Sequence, residues 1–560
     1  MKVDKQLIFL ALSSVLVLTL GSLGFYQLDP DKGTLTSIYL AIQLFTMNSG
    51  VVQTPDTPIL IEISRWLALG TLIGAVYASA EALLGHFRST LRIAFANNHA
   101  IVCGAGTRGN ALARAFKHLG QRQVIVIEID ESNAALGELR NQGIEVIVGN
   151  AVDASVLQRA GIHRAHSLVA VTGDDERNLS ICTEVYTQLN PRCDLSAGIE
   201  SWSWRNYFLD RMQSKIRLDS YLSRATRGLL LSLACAAIQN RKFRENNIHL
   251  LLDVCDQHRQ EFLRAAIMML QIAGDQKPVI ELTSVGPGEK ESFVDRFPAH
   301  ELVADLRWHS GSASQVFPEG CGNKPDFAIF SLASDIETLE AAERFWMRHD
   351  VDDQHVIACL QSESDATDIE NFQRKKRDFS VINLLKFGIG SKDPLETDIE
   401  HRAQICHRIF IQNEKRKNVK YGSNPGDLPE DWRLLSERLK ESNRLAAMHH
   451  EVKRSAWSSR EDVNAEQLLI HLSRCEHMRW MAEKAMEGWR WSGSVEKSSR
   501  DNDKLKHHLL VHYDALSAPE KDKDFNAFLW ALDLHDKELQ DLNINSDSLH
   551  MIDFAKSIQA

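Results

Sequence analysis

Residues 7–28, LIFLALSSVLVLTLGSLGFYQL, carry no charged side chain. At about 1.5 Å per helical residue such a run crosses the roughly 30 Å hydrocarbon layer of a bilayer. It exceeds the ~7 to 15 apolar residues of a cleavable signal and does not close on a clear small-x-small site. A second run, residues 63–84, has Trp66 placed like an interfacial anchor and Glu81 near its far end. Lys2 and Lys5 before the first run, with His86, Arg88 and Arg92 after the second, place both ends in the cytoplasm by the positive-inside rule. The intervening loop then faces outside. It carries Asp29, Asp31, Asp56 and Glu62 against Lys32, which is either a field that attracts cations or a solvated acidic loop.

Within that loop, residues 37–52 (SIYLAIQLFTMNSGVV) are apolar but too short to span. Irregular backbone at membrane depth is tolerated only where it is buried in protein or lines a wet cavity. The segment is therefore expected to be a re-entrant pore helix with a filter-like loop at Thr46, Met47, Asn48, Ser49 and Gly50. An amphipathic hairpin between two anchors is the other reading. Helix, re-entrant loop and helix together resemble the two-transmembrane cation channels. The resemblance is topological: Thr46-Met47-Asn48-Ser49-Gly50 stands where potassium channels carry Thr-Val-Gly-Tyr-Gly. It implies a cation pathway, without fixing the ion, in a homotetramer surrounded by membrane lipid.

The 560 residues predict roughly three to five folded units, so more modules must follow. With 75 acidic against 64 basic side chains, the net charge of −11 argues against nucleic acid as a partner, because such binding rests on phosphate neutralisation by Lys and Arg. Residues 1–92 hold six acids and six bases, so the whole excess lies downstream. Nine cysteines are scattered singly with no C-x-x-C pair, which reads as reduced thiols with neither a disulfide framework nor a metal site.

Residues 99–130 follow the order strand, glycine turn, helix, strand. Gly104-x-Gly106-x-x-Gly109 follows an apolar strand at 100–103 and opens a helix through Ala111, Leu112, Ala115 and Phe116. Glu128 ends the next strand about 20 residues on, where a carboxylate accepts from ribose hydroxyls. Gly104 and Gly106 let the backbone approach a pyrophosphate at the helix N-terminus, with Thr107 and Arg108 in the first turn. The acid at Glu128 disfavours a 2′-phosphate, so NAD, ADP or ATP is expected over NADP. The pattern continues with a strand at 145–148 leading to Asp153 and a strand at 167–171 leading to TGDDERN, residues 172–178.

Over residues 97–200 these segments resemble the RCK or TrkA-N regulatory domain of potassium channels and potassium-uptake proteins. The resemblance implies an adenine nucleotide held by Gly104, Gly106, Gly109, Glu128 and Asp153, with Thr172, Asp174, Asp175 and Asn178 in the signature loop. A Rossmann core that has lost its ligand is the alternative. No proton-transfer residue is nominated beside the cofactor site, so no catalytic role is expected.

After a helical stretch at 218–240 the rhythm restarts, with strands expected at 248–255, 278–284, 326–334, 355–361 and 381–388. This reads as a second parallel sheet, a diverged repeat of the first. Asp253-Val254-Cys255-Asp256-Gln257-His258 replaces the glycine fingerprint, so a bracing role is expected there and no pyrophosphate.

Residues 415–431, with Pro425, Gly426 and Pro429, read as a linker. Beyond it lie six of the eleven tryptophans. Residues 475–493 (CEHMRWMAEKAMEGWRWSG) and 504–525 resemble the ryanodine-receptor (RyR) repeat through His477-x-x-Trp480, Gly488-Trp489-x-Trp491, Lys504-x-x-His507, Leu510-Val511 and Leu516. Trp491 and Ser492 depart slightly from the Gly-Trp-x-Tyr-Gly of that family. The resemblance implies a pocket of His477, Trp480, Trp489, Trp491, Lys504 and His507 for a small nucleotide-derived ligand. Aromatic faces would stack a base while Lys504, His507 and Arg479 neutralise a phosphate; alternatively the tryptophans are the core of a small helical domain.

The expected architecture is a membrane α segment at 1–92, tandem α/β Rossmann-type domains at 97–245 and 246–414, a linker at 415–431, and a small mainly α domain at 432–560. The expected function is a ligand-gated cation channel of the bacterial inner membrane with cytoplasmic C-terminal domains, potassium being one candidate ion. A stress or antiviral effector role suits that combination of modules. A non-conducting nucleotide-sensing regulator of a separate transporter and an NAD-dependent oxidoreductase are the alternatives.

Overall fold

A computed structural model describes residues 5–47, 57–119, 123–189, 193–211, 215–240, 247–318, 324–349, 355–361, 379–389, 396–421, 431–460 and 463–532. Asn48, Ser49 and Gly50 of the expected filter-like loop, and Pro425, Gly426 and Pro429 of the expected linker, lie outside the described residues. The chain divides into two compact units, Met1–Phe95 and Ala96–Ala560.

The first unit contains helices α1 (Lys5–Leu28), α2 (Gly33–Gln43) and α3 (Ile59–Ala94). Small residues let them approach closely. A side chain at Gly21 would meet the Ala41 Cβ at 3.0 Å, and one at Gly24 would meet the Ile61 side chain at 2.8 Å. Val17, Phe25, Ala41, Leu44, Ile61 and Ala68 form the core between them. Residues 8–28 and 59–80 are long and apolar enough to cross a membrane, with mean hydropathies of 2.2 and 1.7. Only 28% and 17% of those two windows is buried, whereas a soluble protein's apolar core helix is mostly covered. The second helix exceeds the 63–84 run, extending over 36 residues. Of the expected re-entrant segment, the described part is α2, one 3₁₀ turn at Leu44–Thr46, and Met47 at φ +59°.

In the second unit, strand and helix alternate: β1 (Ala100–Cys103), α4 (Thr107–His118), β2 (Val124–Glu128), α5 (Ala135–Asn141), β3 (Glu145–Val148), α6 (Ala154–Arg159), β4 (Ser167–Ala170), α7 (Asp175–Glu184), β5 (Asp194–Gly198), α8 (Trp202–Phe208), β6 (Ile216–Asp219) and α9 (Tyr221–Asn240). The sheet is parallel, in the order β3-β2-β1-β4-β5-β6 of a doubly wound Rossmann fold. The helix expected at 218–240 begins only at Tyr221, because Ile216–Asp219 pairs with β5 as an edge strand. IRLD buries only alternate residues, so it lacks the continuous apolar run of a central strand.

A second parallel sheet follows: β7 (His249–Val254), α10 (Asp256–Met269), β8 (Val279–Leu282), α11 (Glu289–Arg296), β9 (Asp305–Trp308), α12 (Ala313–Val316), β10 (Phe327–Ser331), α13 (Asp335–His349), β11 (Val356–Leu360), β12 (Ser380–Asn383) and α14 (Leu384–Ile389). Its order, β12-β11-β10-β7-β8-β9, is that of the first sheet read from the other edge. The strand expected at 381–388 is corrected: pairing with β11 stops at Asn383, whose side-chain oxygen accepts the Lys386 amide and turns LLKFGI into a helix.

The two modules exchange helices. α9, which leaves the first sheet, packs on α10 and contributes Leu222, Ala225 and Leu229 to the second module's core. α14, which leaves the second sheet, packs on α4 and α9 and contributes Leu385 and Ile389 to the first core. Gly388 permits this approach, since a Cβ there would lie 2.2 Å from the Tyr221 carbonyl oxygen.

The C-terminal part comprises α15 (Thr397–Tyr421), α16 (Glu437–Ser458), α17 (Ala465–Met486), β13 (Arg490–Trp491), β14 (Lys506–His507) and α18 (Ala518–Leu529). The linker expected from 415 is instead helical to Tyr421. α15 packs on α16 and α18 through Ala403, Ile405, Cys406 and Ile409 against Ala447, Trp530 and Ala531. α16 and α17 share one continuous core with the second sheet, in which Leu445, Trp457 and Met478 join Leu250, Phe262 and Ile329. The boundaries expected at 414 and 432 are therefore not boundaries of packing.

Candidate functional site

Parallel pairing brings the C-terminal ends of all six strands of the first sheet to one edge, and the strand order reverses between β1 and β4. That edge is the ligand crevice of an open α/β sheet. Gly104 stands at φ +104°, and a Cβ on it would lie 2.7 Å from the Val171 oxygen. A Cβ on Gly109 would lie 1.9 Å from the Gly104 oxygen, so helix and strand approach as closely as glycine allows. Gly106 is exposed, and among the described residues no atom lies within 4 Å of a Cβ built there. No described side chain caps α4, which leaves the amides of its first turn, at Thr107 and Arg108, aimed at the crevice. An open glycine cradle before an uncapped helix fits an anionic pyrophosphate.

Glu128 is nearly buried and ties the turn together: Oε2 accepts the Ala105 amide at 2.6 Å and Oε1 the Asp130 amide at 3.0 Å. Each oxygen retains acceptor capacity for a ribose hydroxyl. Asp153, beyond β3, caps α6 through the Ser155 amide at 2.8 Å, a bond that holds its carboxyl below the usual range. Asp174 caps α7 through the Arg177 amide at 2.8 Å. Thr172 donates both its amide (2.7 Å) and its hydroxyl (2.8 Å) to the Asn178 oxygen, and the Asn178 amide donates to the Gly198 carbonyl at 2.7 Å. Asp175 accepts the amides of Glu200 and Ser201 at 3.0 and 2.8 Å. The signature-loop residues thus brace the edge on which the glycine turn lies.

Arg108 is committed within the protein. Its Nη1 lies 3.1 Å from Glu200 Oε1 and its guanidinium 4.3 Å over the Tyr221 ring. Burial raises the Glu200 carboxyl above its ordinary range, with Arg108 pulling the other way. Glu200 and Tyr221 escaped sequence reading because both follow short strands, DLSAG and IRLD, that give no continuous apolar run; once β5 is seen, an acid just past its C-terminal end is a usable signal.

The second module repeats the braces and lacks the cradle. The Leu332 amide donates to Thr338 Oγ1 at 2.9 Å, as that of Thr172 does to Asn178. Asp335 accepts the Gln361 amide at 2.8 Å, as Asp175 accepts that of Glu200. Where the glycine turn would lie, the Arg259 guanidinium reaches the Val254 and Ser284 carbonyls at 2.7 and 3.0 Å and the carboxylates of Asp256 and Glu289. A side-chain cation is tied down at the end of β7, where the first module has its open glycine turn.

In the C-terminal part, His477, Trp480, Trp489 and His507 come together. His477 and Trp480 stack with centroids 5.8 Å apart, and the His507 ring meets Trp480 at 4.9 Å and Trp489 at 5.6 Å edge-on. Trp491 pairs with His507 through the backbone, but its side chain is half exposed. Lys504 is not drawn in; it is exposed beside Asp501 at 3.5 Å. Arg500 instead supplies the nearby cation, 5.7 Å over Trp489.

Two expected phosphate ligands are corrected. Arg479 is buried between Glu476 and Glu483, at 2.9 Å from each. Burial, with Arg500 and His508 nearby, pushes His507 down to about 3, so it is neutral at neutral pH. His477 is a tie between elements, Nε2 lying 2.8 Å from the Val511 carbonyl and Nδ1 3.1 Å from Asp524. A His477→Leu change strands both partners in a buried site and is expected to cost about 2 kcal/mol, measurable as a lower urea midpoint.

Residues 100–208 match the TrkA-N domain. Over 206 residues the chain is 26% identical to Potassium channel protein 1 of Methanocaldococcus jannaschii, covering 35% of this chain and 58% of that protein. Over 91 residues it is 36% identical to the Trk system potassium uptake protein TrkA of Vibrio alginolyticus, covering 16% and 19%. The match thus spans less than two thirds of either relative. Among solved structures, the GsuK channel bound to ADP aligns with a TM-score of 0.36 at 14% identity, over 70% of this chain and 98% of that one. Residues 100–208 are a TrkA-N domain, and the chain is similar to potassium-channel and potassium-uptake proteins.

Proposed function

We propose that the chain is a subunit of a homotetrameric, ligand-gated cation channel of the bacterial inner membrane, non-enzymatic, with potassium as the first ion to test. The carrying observation is the union, in one chain, of two exposed apolar helices of membrane length and a TrkA-N domain with an open glycine cradle. Five residues, 95–99, join α3 to β1, so a ligand that shifts the first strand acts on the second membrane helix through a short covalent link. Gating requires the ligand to bind open and closed states with different affinity.

The ligand on this reading is an adenine nucleotide (NAD, ADP or ATP), with its phosphates over Gly104, Gly106, Thr107 and Arg108 and its ribose on Glu128. Asp153, Thr172 and Asp174 support the site by bracing the loops at its edge. The RyR-like cluster of Trp480, Trp489 and His507, with Arg500, is a second site for a nucleotide-derived signal. Identity with a potassium-uptake protein favours one further reading, a non-conducting membrane-anchored regulator of a separate transporter.

Purified protein in liposomes separates the two. Cation flux that depends on added nucleotide supports the channel; nucleotide binding without flux leaves the regulator. Glu128→Gln is expected to weaken ADP binding about tenfold, the equivalent of one hydrogen bond to a charged acceptor worth about 1.4 kcal/mol. Unchanged binding and unchanged flux in that variant remove the glycine-turn site from the mechanism.

A further inference from the structure

A dinucleotide lies across both halves of a doubly wound sheet, its adenosine over β1 to β3 and its second nucleoside over β4 to β6. In this chain the second half is already filled. Arg108 reaches from the first turn of α4 to Glu200, just beyond β5, at 3.1 Å. Its guanidinium covers the Tyr221 ring just beyond β6 at 4.3 Å. Glu200 is held from three further directions: Oε2 accepts the Ser220 hydroxyl at 2.6 Å, Oε1 accepts the Tyr221 amide at 3.3 Å, and its own amide donates to Asp175 at 3.0 Å.

Resting on the adenine-nucleotide reading above, we infer that this site takes an adenosine di- or triphosphate and discriminates against a dinucleotide, the terminal phosphate replacing Glu200 as the partner of Arg108. The exchange is chemically matched. A terminal phosphate offers Arg108 a bidentate, doubly charged acceptor in place of one carboxylate oxygen. The second ribose and base of a dinucleotide offer no such group. They would have to displace Arg108, Glu200 and Tyr221 together and leave both the guanidinium and the carboxylate without a partner, whereas a terminal phosphate leaves only Glu200 to be compensated.

The same exchange gives the ligand a lever. Glu200 holds Ser220 and Tyr221 at the start of α9, and α9 packs into the second module's core. Loss of Arg108 from Glu200 therefore loosens the N-terminus of the helix that joins the two Rossmann modules.

The test is calorimetric titration of the full-length protein in detergent with ADP, ATP and NAD. ADP and ATP are expected to bind at least tenfold more tightly than NAD. Arg108→Met is expected to weaken ADP and ATP at least tenfold and so to narrow their advantage over NAD; Arg108→Lys, which keeps a point charge, is expected to lose less and serves as the second variant should the methionine one fail to fold. NAD binding as tightly as ADP in the unaltered protein, or ADP affinity unaffected by both variants, overturns the inference and leaves the adenine-nucleotide reading standing. Binding of none of the three overturns both.

Discussion

Replacing Gly109 with alanine is expected to disrupt the first Rossmann module, at a cost of about 3 kcal/mol or more, the upper end for overpacking at a rigid site. The added methyl would sit 1.9 Å from the Gly104 oxygen. Gly104 has no room to yield, since its own Cβ position is 2.7 Å from the Val171 oxygen and its φ of +104° is one that a side chain rarely adopts. α4 must therefore move off β1, which breaks the bond from the Ala105 amide to Glu128. Gly106→Ala is the control. Its φ of −67° suits alanine and the space is open, so stability should stay within about 0.5 kcal/mol while nucleotide affinity falls. Thermal unfolding followed by circular dichroism, with and without ADP, reads both. Equal melting temperatures for Gly109→Ala and the unaltered protein would show that the turn is not packed as described.

Arg444→Met is the second large effect. Arg444 is 4% exposed and meets Glu437 at 2.5 Å, Glu400 at 2.6 Å and Glu441 at 3.3 Å. Glu400 and Glu441 also bond Trp432 at 3.0 Å and Arg227 at 2.5 Å, so the cluster ties α9, α15 and α16 together. Removing the central cation leaves the buried Glu437 with only Lys440, 3.9 Å away, among the described residues, at an expected cost of about 3 to 5 kcal/mol and a fall in melting temperature on the order of 10 °C.

The pH dependence follows from the same groups. Burial alone would raise the Glu441 carboxyl, but Arg227, Arg444 and Arg217 bring it down to about 2. A carboxyl whose folded value lies below its unfolded one contributes stability that is complete above the unfolded value, near 4.5, and is lost as pH falls from there towards 2. In the variant this contribution shrinks, and protonation relieves the stranded Glu437, whose carboxyl burial already raises. The gap in melting temperature between the two proteins should therefore narrow below about pH 4.5. A gap that widens in acid would refute the assignment of Arg444 as the compensating charge.

What could be read from the sequence was whatever is local along the chain. The charge-free run at 7–28 exists as a helix because its apolar composition is itself the cause. β1, the glycine turn, α4 and β2 lie within 30 residues and specify one another: Gly109 must be small because Gly104 is five residues away. Glu128 was found for the same reason, though its bonds to the Ala105 and Asp130 amides were not. The strands β5, β6 and β9 were missed because each has only four or five residues and, as DLSAG, IRLD and DLRW, none is a run of apolar residues.

The C-terminal cations show the limit most clearly. Arg479, on the same helix as Trp480, was a fair candidate for a phosphate until the fold placed it between Glu476 and Glu483 in the core, while Arg500, in an irregular loop, came to lie over Trp489. Arg259 came to bond the Val254 and Ser284 carbonyls where the first module has its glycine turn, and α9 and α14 crossed into each other's modules, through contacts that no local period encodes. Local composition and spacing settle which stretches are apolar, where the backbone must turn tightly, and which acid ends the second strand. Which charges pair is set by the fold, because a buried ion pair is selected by the packing that excludes water around it, between residues that the chain holds far apart.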